Sequence, residues 1–175
     1  MKCYAGIGSR ETPQHILNMM DNLAQKLEKD GYALRSGGAD GADNAFAKNV
    51  TNKEIFIPWN NFNGIKDNSA FVGYSKKAYK IAKNIHPAWY RCSEGAKKLH
   101  SRNVHQVFGW EMKPKTYSKF IICWTPKGKE VGGTATAIKL AKQANITVYN
   151  LAIDEDYNTL NKYLTKKTKS KKVKL

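Results

Sequence analysis

Acidic residues are scarce in this 175-residue chain: 14 Asp and Glu stand against 30 Lys and Arg, for a formal net charge of +16. That imbalance predicts affinity for polyanions such as nucleic acid or nucleotide phosphates. Cysteine is scarce too. Cys3, Cys92 and Cys123 lie far apart and form no C-x-x-C pair, and their odd count excludes a disulfide framework. A reducing, cytoplasmic setting is the expectation. None of the four histidines, His15, His86, His100 and His105, has zinc spacing to these cysteines, so no metal is expected. No long apolar run occurs, and "MKCYAGIGSR" leads straight into structure-like sequence, so neither a signal peptide nor a membrane span is expected. The chain also lacks G-x-x-x-x-G-K-[ST], and G-x-G-x-x-G after its first strand. A nucleoside-triphosphate P-loop and an ordinary dinucleotide cofactor are therefore unsupported, and no cofactor is expected.

What is present alternates. Short apolar runs with strand character, "KCYAGIG", "YALRS", "KEIFIPW", "SKFIICWT" and "ITVYNL", are separated by amphipathic helical patterns. This predicts an α/β fold: a single Rossmann-like domain with an open parallel sheet and helices on both faces, spanning residues 1–164. The first helix is expected to open at Thr12-Pro13, with Thr12 as N-cap, to bury Ile16, Met20, Leu23, Ala24 and Leu27, and to end at Gly31. Further helices are expected at about 75–84 and 93–108, with an irregular excursion before the first of them. There is no internal repeat. Residues 165–175 belong to a lysine-rich, acid-free end that is expected to be disordered, either as a phosphate-attracting arm or as a solubilising tail.

Three strand ends run into unusual turns: "GIGSRETP", "RSGGADGAD" and "WTPKGKEVGGTATA". In an open parallel sheet these turns share one edge, so they are expected to enclose a ligand crevice. Gly8, Ser9 and Arg10 would form one wall, Arg35, Ser36, Gly37, Gly38 and Asp40 a second, and Gly132, Gly133 and Thr134 a phosphate-binding floor at a helix N-terminus. Only four arginines occur, Arg10, Arg35, Arg91 and Arg102, and two fall in these turns, where planar bidentate recognition has no lysine substitute. Asp43 is expected to cap the following helix. Asp40 and Glu130 are the candidate catalytic acids, with an exposed loop carboxylate the plain alternative for Glu130. Arg102 and Asn103, beside His100 and His105, offer either phosphate contacts or helix-surface decoration. His86, Trp89 and Tyr90 offer either base stacking or an aromatic core cluster.

As an ordered set, "GSRETP", "LRSGGADGADNAF", "EIFIPW", "KLHSRNV" and "FIICWTPKGKEVGGTATAIKLA" resemble the SLOG superfamily, over about residues 4–151. This Rossmann-like group includes DNA-processing protein A and the "lonely guy" phosphoribohydrolases. "SGGADGAD" resembles the S-G-x-A-x-G-I-D segment of the former, and "GGTATA" the superfamily's glycine-threonine phosphate loop. The phosphoribohydrolase signature P-G-G-x-G-T-x-x-E is matched by "VGGTATAIK", with Val131 for the proline and Lys139 where the catalytic glutamate would fall. The resemblance therefore implies a stand-alone domain binding a nucleotide or nucleotide-derived small molecule, as a sensor or sequestering protein in conflicts between bacteria and phage. It also implies pairing into a homo-oligomer, with the helices bearing Ile16 and Leu140 as the expected interface. Two rivals remain. One is single-stranded DNA binding like that of DNA-processing protein A, through Lys97, Lys98, Arg102 and the lysine tail. The other is a nucleotide N-glycosidase using Asp40 or Glu130.

Overall fold

The computed structural model describes residues 1–166, so the lysine-rich end beyond Lys166 lies outside the described residues. The strands are β1 (Lys2–Gly6), β2 (Tyr32–Ser36), β3 (Lys53–Ile57), β4 (Phe71–Val72), β5 (Phe120–Cys123) and β6 (Thr147–Asn150). The helices are α1 (Gln14–Lys29), α2 (Ala42–Ala47), α3 (Lys76–Ile85), α4 (Glu94–Phe108), α5 (Gly132–Gln143) and α6 (Asp154–Thr165). All strand pairings are parallel, in one six-stranded sheet of order β4-β3-β2-β1-β5-β6. The chain works outward from β1 to β4, then returns to the other side of β1. That reversal makes the carboxyl ends of β1 and β5 the switch point of the sheet.

Local chemistry accounts for the element ends. Ser75 and Ser93 accept hydrogen bonds from the Ala78 and Ala96 amides at 3.1 and 3.2 Å, capping α3 and α4. Pro58 stops β3 after Ile57. Thr12 does not cap α1 as expected: its hydroxyl donates to Ser9 O at 2.7 Å, and Pro13 takes the N-cap position. The irregular stretch after β3 hides one strand that alternation does not reveal. β4 is two residues long and is held by register with Phe56 and Ile57 and by stacking of Phe71 on Phe56 at 5.0 Å.

Helices cover both faces. Tyr4, Leu34 and Ile122 point to a core closed by α1, α2 and α6, while Ala5, Ile121 and Cys123 point to one closed by α3, α4 and α5. Alternation along each strand feeds the two cores in turn. The two residues that mark the expected pairing helices serve the cores. Ile16 and Leu140 are 3% and 2% exposed and belong to the two cores, so any contact with a partner would use the outer faces of α1 and α5. Among the described residues no helix is long and apolar enough to cross a membrane.

Candidate functional site

At the switch point the loops after β1 and β5 and the flank of α4 enclose a crevice of about 550 Å³. Gly8, Ser9 and Arg10 line it from the β1 loop, Gly132, Gly133 and Thr134 from the start of α5, and Arg102 and Asn103 from α4. The three distant segments thus meet. Ser9 Oγ accepts from the Glu11 amide at 3.1 Å, fixing the β1 loop, and Arg10 stands exposed at the rim. α5 begins without a side-chain cap, and nothing lies within 4 Å of where a Cβ would stand at Gly132 or Gly133. The start of α5 is thus sterically open, and the positive end of its helix dipole lies at the crevice.

Arg102 supplies the fixed charge. It is 3% exposed, and Nη1 lies 3.7 Å from Asp43 Oδ2. In the amide orientation that satisfies its neighbours, Gln106 accepts from Arg102 Nη1 at 3.1 Å and from the Gly37 amide at 2.8 Å, and donates to Asn103 Oδ1 at 3.1 Å. Asn103 Nδ2 donates to Gly133 O at 2.8 Å, tying α4 to the glycine start of α5. Arg102 Nε is buried with no hydrogen-bond partner among the described residues. A buried guanidinium N–H without an acceptor is costly, so the fold leaves one polar group of Arg102 unsatisfied.

Asp43 is not the helix cap that the sequence suggests. It lies inside the first turn of α2, and its Oδ2 turns back to accept from the Gly37 and Ala39 amides at 3.1 and 3.4 Å. Burial pushes its carboxyl up to about 6, against the opposing pull of Arg102 and the amides of Ala39, Gly37 and Gly8. Asp43 and Gln106 are among the crevice residues that sequence reasoning did not place there. The signal for Gln106 was its spacing, one helical turn beyond Arg102 and Asn103.

Several expected site residues are elsewhere. Ser36 is fully buried and donates to Gly6 O at 2.7 Å, a clamp between β1 and β2. A Cβ on Gly37 would stand 1.2 Å from Arg102 Nη1, and one on Gly38 would stand 2.1 Å from Ile65 Cδ1. These glycines admit the protein's own side chains, not a ligand. Asp40 is exposed, accepting from Asn44 Nδ2 at 3.2 Å, and does not line the crevice. Glu130 is also outside the crevice lining and pairs with Lys142. Trp89 is buried in the core, whereas Tyr90 is exposed. His105 lies buried, its Nε2 accepting from the Ser75 amide at 3.1 Å, which ties α4 to the start of α3.

Arg35 differs most from its expected role. It points to the face opposite Leu34, where Nε donates to Glu54 Oε2 at 2.6 Å and Nη1 donates to Thr116 O. It bonds β2 to β3 and to the turn before β5. Arg35→Met is therefore expected to cost about 1–3 kcal/mol of folding stability. Ligand binding by the folded fraction should be unchanged; urea unfolding beside a binding titration separates the two effects.

No family model matches the chain, and the curated proteins contain no match. Among solved structures, the chain is similar to DNA processing protein A from Helicobacter pylori, described for its unique single-stranded DNA binding mode. The TM-score is 0.60 at 19% identity, covering 93% of this chain and 80% of the other. The likeness is one of fold. It is consistent with the resemblance of the turn motifs and brings no residue role with it.

Proposed function

We propose that the crevice binds the phosphate-bearing end of a nucleotide or nucleotide-derived small molecule, as a sensor or sequestering protein. The observation that carries this reading is the uncapped, sterically open start of α5 sharing the crevice lining with the guanidinium-bearing Arg102. Arg10 at the rim would add a second planar donor group, and the α5 amides would hold the remaining phosphate oxygens. Binding without catalysis is the simpler form of the reading. The acids first considered for glycosidic cleavage, Asp40 and Glu130, lie off the crevice, and Lys139 is on α5 beyond its lining.

Two observations favour a second reading, single-stranded nucleic acid: the net charge and the fold shared with a protein described as binding single-stranded DNA. Both readings place a phosphate at α5. They separate on chain length and salt, since a polyanion releases counterions and loses affinity steeply as salt rises.

Mass spectrometry of compounds released on denaturing the purified protein, beside titrations with nucleoside monophosphates and a single-stranded oligonucleotide, tests them. Gly133→Asp is the informative variant. The site has room for the side chain, and an acid at a helix start is favourable for folding, yet its charge occupies the anion position. The melting temperature should hold or rise slightly while phosphate-ligand affinity falls at least about tenfold, the equivalent of about 1.4 kcal/mol. Unchanged affinity for every phosphate ligand that the wild type binds would remove α5 from the site.

A further inference from the structure

Away from the crevice, three side chains that spacing keeps apart come together. His86 follows α3, Cys92 follows the short 3₁₀ turn Trp89–Arg91, and His100 projects from α4. One ligating atom from each lies within 4.8 Å of the others. Cys92 Sγ is 3.8 Å from Nδ1 and 3.7 Å from Nε2 of His86, and the two imidazole centroids are 4.4 Å apart. Tetrahedral zinc with bonds of about 2.0–2.1 Å to nitrogen and about 2.3 Å to sulfur sets its ligand atoms roughly 3.3–3.6 Å apart. The Cys92–His86 separation is close to that edge, but Sγ is nearly equidistant from the two ring nitrogens and so lies off both lone-pair axes. Closing the site requires the half-buried His86 and Cys92 side chains to rotate until one nitrogen faces the sulfur.

The surroundings suit ligation. Thr136 Oγ1, on α5, lies 2.9 Å from His100 Nδ1, and the hydroxyl can accept from Nδ1–H, the tautomer that leaves Nε2 free for a metal. His86 Nδ1 accepts from the Ala88 amide at 3.2 Å, so that lone pair is engaged within its own turn and a cation taking it would replace one hydrogen bond. The Trp89 ring, with its centroid 6.1 and 6.4 Å from those of the two imidazoles, walls the cluster against the core.

We propose that His86, Cys92 and His100 form a three-ligand site for a zinc-class divalent cation, with water in the fourth position. Two imidazoles and a thiolate are a donor set that zinc prefers over the hard cations magnesium and calcium. Binding converts the Cys92 thiol to thiolate and releases its proton to solvent. The cation would pin the segment after α3 onto α4, and through Thr136 onto α5, with Arg102 and Asn103 two and three residues beyond His100 on α4. Three separate elements supply the ligands, which is why spacing alone predicts no metal.

The test uses the full chain after chelator treatment. Titration with Co²⁺ should saturate at one ion per chain, with a near-ultraviolet sulfur-to-cobalt charge-transfer band and the strong visible bands of tetrahedral cobalt, both erased by Zn²⁺. Cys92→Ser should abolish the charge-transfer band, and His86→Ala should weaken binding at least about tenfold. Circular dichroism of the metal-free variants reports that they fold. In the unaltered chain, Zn²⁺ should slow alkylation of Cys92, mapped by mass spectrometry, at least about tenfold, because the bound thiolate is no longer a free nucleophile. Weak octahedral cobalt bands alone, a charge-transfer band that survives in Cys92→Ser, or unprotected Cys92 at saturating Zn²⁺ would each overturn the site.

Discussion

Replacing Arg102 by methionine is expected to lower folding stability by about 3–5 kcal/mol near pH 8 and to abolish phosphate binding in the crevice. The loss comes less from the missing contact than from what stays behind. Asp43 is 4% exposed and Arg102 is the cation paired with it, so methionine fills the volume but leaves a buried carboxylate unpaired. The pH dependence follows from the raised carboxyl of Asp43. Its folded value of about 6 lies above the ordinary carboxylate value, so the native state keeps a proton that the unfolded chain has already lost. Asp43's contribution to stability is therefore fully present below about pH 4 and lost as pH rises through about 6. Without the pull of Arg102, that folded value moves higher and the loss extends further up the scale. The deficit of Arg102→Met against the wild type should be small at pH 5 and grow toward pH 8, read from urea midpoints across the range. An equal deficit at both ends would mean that the ion pair does not hold this corner of the fold together.

Gly41→Ala is expected to cost about 2–4 kcal/mol, because two penalties fall on one residue. Gly41 adopts φ 81° and ψ −121°, a region essentially closed to residues with a side chain. A Cβ there would also stand 2.8 Å from both Arg10 Cα and Ser9 O. Those are backbone atoms of the crevice wall and cannot rotate away. Gly31 provides the comparison: its φ is +87°, but nothing lies within 4 Å of the added carbon, so Gly31→Ala carries conformational strain alone, about 1–2 kcal/mol. Thermal melts of the two variants separate strain from collision. Gly41→Ala should also weaken phosphate binding, since the collision pushes Ser9 and Arg10 outward, whereas Gly31→Ala should leave it unchanged. Equal losses for the two variants would remove the collision from the account.

The glycines show where sequence reading succeeds and where it stops. Both glycine turns, "SGGADGAD" and "VGGTAT", read alike as backbone opened for a ligand. Only the turn at the start of α5 has open space around its glycines; in the other, Gly37 and Gly38 make room for Arg102 and Ile65. A glycine reports that something approaches closely, and its neighbours in space decide whether that is a ligand or the protein itself. Arg35 and Arg102 repeat the lesson. Each is a rare arginine with polar residues nearby in sequence, yet one turns from β2 toward Glu54 and Thr116 while the other turns from α4 into the crevice.

By itself the sequence determined the alternation of strands and helices, the buried face of α1, the helix starts near 75 and 93 and the shared edge of three loops, because periodicity and turn chemistry act over a few residues. Only the tertiary structure decided which carboxylate faces Arg102, which glycine loop stays open, and that His86, Cys92 and His100 meet. Each of those depends on distances between atoms from elements far apart along the chain, and packing sets such distances where local pattern does not.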